Sequence, residues 1–93
     1  MTTSCRERVR IVNERGLHAR ASAKFVNLVA AKYEHLNVTV CKDSTEAAGG
    51  SILGLMMLGA ARGDEIEIIV AGDGAESALV ELADLVRDGF GEP

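Results

Sequence analysis

His18 and Arg20 stand two residues apart in Gly16-Leu17-His18-Ala19-Arg20, between a run with strand period and a run with helix period. A neutral imidazole is a nucleophile, and a guanidinium offers an anion a planar fork of donors. A helix start adds unpaired backbone N–H groups and the positive end of the peptide dipole. Together these suit a phosphoryl group held on a ring nitrogen. By itself, however, a histidine at a helix start is usually an unremarkable polar residue, and a single arginine is usually a solvated charge. The surrounding elements must carry the reading further.

Upstream, Val9 and Ile11 alternate with Arg8 and Arg10, the period of a half-buried strand. Downstream, Phe25, Val26, Val29, Ala30 and Tyr33 recur at helical spacing, and Gly16 can supply a positive φ for the turn between the two. Leu36, Val38 and Val40 predict a second strand, residues 44–48 a weaker edge strand, and Ile66, Ile68 and Val70 a last strand. Gly72-Asp73-Gly74 reads as a turn, followed by a helix with Ala75, Ala78, Leu79, Leu82 and Val86 on one stripe. Residues 1–4 and 89–93, the latter holding Gly89, Gly91 and Pro93, are expected to fray. Strands that bury one face place the helices together on one side of the sheet. Arg8 and Arg10 could then lie opposite Glu65 and Glu67, which predicts that the first and last strands are neighbours.

Ninety-three residues make one small α+β domain, spanning 1–93. With aromatic residues at only 3%, the core has to be aliphatic. A net charge of −4 argues against nucleic acid as the main partner. Arg6, Arg8, Arg10, Arg15, Arg20 and Lys24 crowd the first third, which predicts positive potential near His18 for an acidic partner surface. Cys5 and Cys41 fit no zinc spacing and read as reduced thiols, and no metal or other cofactor is expected. Without an apolar signal core or a membrane-length run, the chain is expected to be cytoplasmic and not membrane-inserted. No Walker-type loop or acid–base pair supports a free-standing enzyme.

The segment Ser51-Ile52-Leu53-Gly54-Leu55-Met56-Met57-Leu58-Gly59 is apolar nearly all round. At 100° per residue Leu55 and Leu58 share one side and can face the sheet, while Ile52, Leu53 and Met56 point away. Such a segment is either covered by its neighbours or an exposed docking patch. Ser51 sits where an N-cap belongs.

The run Asn13-Glu14-Arg15-Gly16-Leu17-His18-Ala19-Arg20 resembles the active-site signature of the HPr family, the histidine phosphocarriers of the bacterial phosphoenolpyruvate-dependent phosphotransferase system. The block at 51–59 is similar to that family's regulatory-serine segment, at the expected distance, and the likeness runs from Val9 to about Val86. The resemblance implies an open-faced βαββαβα sandwich, its four-stranded antiparallel sheet ordered 1-4-2-3 with three helices on one face. It implies a carrier, not an enzyme, in which His18 accepts the phosphoryl group on Nδ1 and Arg20 stabilises it. Backbone N–H groups of Ala19, Ala21 and Ser22 would bind its oxygens. It further implies regulatory phosphorylation at Ser51 and docking through Ile52, Leu53 and Met56. The implied partners of this monomer are enzyme I, enzyme IIA-type acceptors and HPr kinase/phosphorylase. A nitrogen-type regulatory phosphocarrier, read by a kinase or regulator without sugar transport, is the alternative. One departure is Ala21, where the family commonly has proline.

Overall fold

Strand period and helix period alternate along the chain as expected, and the computed structural model, which describes residues 4–93, turns them into a sheet with helices on one side. The elements run β1 (Ser4–Arg10), α1 (Ala19–Lys32), β2 (Asn37–Lys42), β3 (Thr45–Ala48), α2 (Ile52–Met57), β4 (Glu65–Ala71) and α3 (Ala75–Arg87). The sheet order is β1-β4-β2-β3, with every neighbouring pair antiparallel. Ser4 opens β1 and is therefore not a frayed end, while residues 1–3 lie outside the described residues.

Register is set by which side chains can be buried. Ile66, Ile68 and Val70 of β4 face the helices with Val38 and Val40 of β2, and all five are buried. A one-residue slip would turn this row to water. The helix side of the core is completed by Phe25 and Val29 of α1, Leu55 of α2, and Leu79, Leu82 and Val86 of α3. Ala30, placed on the α1 stripe from its spacing, is exposed instead, and Ala21 and Ser22 occupy the buried face. Arg8 pairs in register with Glu67, and Arg10 with Glu65. The close ion pair is nevertheless diagonal, Arg6 to Glu67 at 3.5 Å, a contact in the range of about 0.2–1 kcal/mol.

Arg6, Arg8 and Arg10 alternate with the core-facing residues of β1 and project from the helix-free face. The other face of β1 carries Glu7, which pairs with Arg87 of α3. Cys5 on β1 and Cys41 on β2 are free thiols separated by β4.

Candidate functional site

The loop that carries His18 is shaped by Gly16. Its φ is +63°, and a Cβ there would stand 2.4 Å from the Ala60 carbonyl oxygen, so only glycine fits. The Leu17 N–H donates to that same carbonyl at 3.0 Å, joining the loop to the chain that leaves α2. Asn13, fully buried, donates from Nδ2 to the Gly16 carbonyl at 2.9 Å. These two hydrogen bonds hold the chain as it enters α1.

His18 is the N-cap of α1, with φ −75° and ψ −178°, and its side chain makes no capping bond. Its carbonyl accepts the first helical bond, from Ser22 N–H at 2.9 Å. Among the described residues the N–H groups of Ala19, Arg20 and Ala21 have no acceptor, as the start of a helix requires. Ser22 corrects the expectation from sequence. Four residues into the helix, its N–H already belongs to the helical ladder, and its hydroxyl donates to the Leu17 carbonyl. Arg20 is exposed, and its guanidinium has no partner among the described residues.

The residue that sequence reasoning missed is Glu92. Its Oε1 lies 2.6 Å from His18 Nε2 and accepts from Asn13 Nδ2 at 2.9 Å. These hydrogen bonds, from His18 first and Asn13 second, hold the Glu92 carboxyl below its ordinary value. The imidazole keeps 19% of its surface and the carboxylate 13%, so the pair is largely shielded.

The tail expected to fray is instead anchored. Gly89, Phe90 and Gly91 all have positive φ, at +65°, +58° and +73°, which reverses the chain after α3. Phe90 in this conformation costs about 1–2 kcal/mol. Its ring is 1% exposed, and burial of that kind contributes about 1.5–3 kcal/mol, enough to hold the turn. The Phe90 carbonyl accepts from Lys24 Nζ at 2.5 Å, and the Pro93 carbonyl accepts from Glu14 N–H at 2.8 Å. The only cue in the sequence was one aromatic residue between two glycines.

The second helix start is built differently. Ser51 caps α2, its Oγ accepting from Gly54 N–H at 2.9 Å. Leu55 and Leu58 are buried as their angular positions require, whereas Ile52, Leu53 and Met56 are exposed, Leu53 at 66%. Met57, not assigned to this patch from sequence, is its most exposed member at 74%. His35 is exposed in the turn before β2. Among the described residues no helix is long and apolar enough to cross a membrane.

Comparison with known proteins agrees with this arrangement. Residues 5–88 match the family model described as the PTS HPr component phosphorylation site. The chain belongs to that family. It is 41% identical over 87 residues to the phosphocarrier protein HPr of Neisseria meningitidis serogroup A, covering 94% of this chain and 96% of that one. It is also 33% identical over 90 residues to the phosphocarrier protein NPr of Shewanella violacea, covering 97% of each. Among solved structures, HPr-C-His of Thermoanaerobacter tengcongensis superposes with a TM-score of 0.87 at 34% identity, covering 96% of this chain and 98% of that chain. The protein is thus an HPr-type phosphocarrier of the phosphotransferase system, a carrier and not a catalyst. Its relatives include both HPr and NPr.

Proposed function

We propose that His18 is the phosphoryl-carrying residue, accepting on Nδ1 from phosphorylated enzyme I and passing the group to an enzyme IIA-type acceptor. The observation that carries this reading is a helix start whose cap residue leaves its N–H groups open. Ala19, Arg20 and Ala21 have donors without acceptors, next to an imidazole engaged only through Nε2. Phosphoryl transfer needs positioning and charge stabilisation more than covalent chemistry, and oriented N–H groups supply both. The unpaired Arg20 guanidinium is free to follow the phosphoryl oxygens. Ala21 in place of proline leaves a backbone donor at this turn and relaxes φ.

The exposed face of Ile52, Leu53, Met56 and Met57 is read as the docking surface, since α2 packs beside α1 and the His18 loop is bonded to Ala60. Ser51 at its edge is read as the regulatory site, a substrate for an HPr kinase/phosphorylase. Three phosphoryl oxygens and their charge would then stand beside an apolar docking face. A nitrogen-type regulatory role is the second reading, favoured by the NPr relative that matches along 97% of the chain. The two readings share His18 and differ in the acceptor.

The test is to mix the protein with phosphoenolpyruvate and enzyme I and locate the phosphate by mass spectrometry under non-acidic conditions. One phosphate on His18, and none on His18→Ala, is expected. Labelling of the variant to the native extent would overturn the reading. Onward transfer to sugar-specific or to nitrogen-type IIA acceptors then separates the two roles.

A further inference from the structure

We propose that Glu92 is a positioning residue for transfer at His18, its carboxylate holding the Nε2 proton so that Nδ1 presents the lone pair of the ring. This rests on the reading of His18 as the carrier. An ionised carboxylate can only accept a hydrogen bond, so at 2.6 Å from Oε1 the ring nitrogen Nε2 has to be the donor. A neutral imidazole carries one N–H, and with that proton on Nε2 the other nitrogen is unprotonated and nucleophilic.

The carboxylate is a built feature of the fold. Asn13, buried and bonded to the His18 loop through Gly16, donates its other Nδ2 hydrogen to the same oxygen of Glu92. On either side of Glu92 the backbone is pinned, by Lys24 on the Phe90 carbonyl and by Glu14 N–H on the Pro93 carbonyl. Phe90 seals the turn from below. A tail this constrained delivers Glu92 to one nitrogen, while the other has no hydrogen-bond partner among the described residues.

The pairing also settles where the proton goes. On acceptance, the Nδ1 lone pair forms the N–P bond while the bond from phosphorus to the donor's leaving atom breaks, its electron pair staying with the donor. The Nε2 proton remains, giving a phosphoimidazolium whose positive charge faces Glu92. On discharge the N–P electron pair returns to Nδ1, and the ring leaves as neutral imidazole with its proton already in place. No proton is gained or lost in either direction.

Ring-nitrogen NMR on native protein, Glu92→Ala and Glu92→Gln tests this. The native ring is expected with its proton on Nε2, and Glu92→Ala with both tautomers populated. Glu92→Gln, which keeps an amide oxygen as acceptor, is expected to retain the native tautomer. Phosphoryl acceptance from enzyme I should slow about 10-fold in Glu92→Ala, with a smaller loss in Glu92→Gln. An unchanged tautomer ratio in Glu92→Ala overturns the proposal, as does a shifted ratio with native transfer rates in both directions. If the ratio shifts but the phosphate is found on another residue of native protein, the reading of His18 is what fails, and the hydrogen bond assigned to Glu92 stands.

Discussion

The two helix starts of this protein solve the same problem in opposite ways. At α2, Ser51 folds its hydroxyl back onto Gly54 N–H, so the helix caps itself. At α1, the cap residue His18 turns its side chain away to Glu92, and the donors of Ala19, Arg20 and Ala21 stay open. A cap bond of the Ser51 type contributes about 1 kcal/mol. Leaving it out at α1 forgoes that stabilisation and keeps an anion site open. The difference teaches that the helix start proposed to carry the phosphoryl group is set apart by what it leaves unsatisfied and by the distant group that holds its side chain.

The comparison can be broken most forcefully at the tail. Phe90→Ala removes the buried ring that anchors residues 89–93, and a loss of about 3 kcal/mol in denaturant unfolding is expected. The His18 ring should then lose its Nε2 partner, whereas the Ser51 cap should be untouched. Native stability in this variant would mean that the tail does not hold the first helix start.

A second intervention works at the other helix. Ser51→Asp keeps a capping oxygen and adds a charge beside Leu53 and Met56, so stability should stay within about 0.5 kcal/mol of native while phosphoryl transfer to His18 slows about 10-fold. Ser51→Ala should do the reverse, losing about 1 kcal/mol with transfer unchanged. Equal transfer rates for native protein and Ser51→Asp would remove the regulatory role from this site.

The smallest expected effect is in pH dependence. The hydrogen bonds from His18 and Asn13 depress the Glu92 carboxyl below its ordinary 4.5. A depressed carboxyl contributes stability that is complete above the ordinary value and lost as pH falls through the folded one. The stability difference between native protein and Glu92→Gln should therefore be present at neutral pH and close in acid, read from denaturant midpoints across the range. The effect is modest because the pair retains contact with water. A difference that persists in strong acid would show that something other than the carboxylate charge distinguishes the variant.

Much of this was legible in the residues. The alternation of Ile66, Ile68 and Val70, and the stripe from Ala75 to Val86, match the burial seen in β4 and α3. The positive φ of Gly16 and the cap at Ser51 also follow from local chemistry. The resemblance grouped the Ser22 N–H with those of Ala19 and Ala21, whereas its position four residues into the helix commits it to the His18 carbonyl. Asn13 opens the motif, yet its bond to Glu92 spans 79 positions, so no local pattern could reveal that part of its role. The tail was misjudged because two glycines and a proline suggest fraying, and the ring between them finds its pocket only after the helices have packed.

The sequence by itself determined the periods of the elements, the turn at Gly16, and the placement of an imidazole at a helix start, since each depends on residues a few positions apart. Only the tertiary structure decided which proton that imidazole keeps. His18 and Glu92 are 74 positions apart, and they meet because a left-handed turn around a buried phenylalanine folds the end of the chain back over the start of α1.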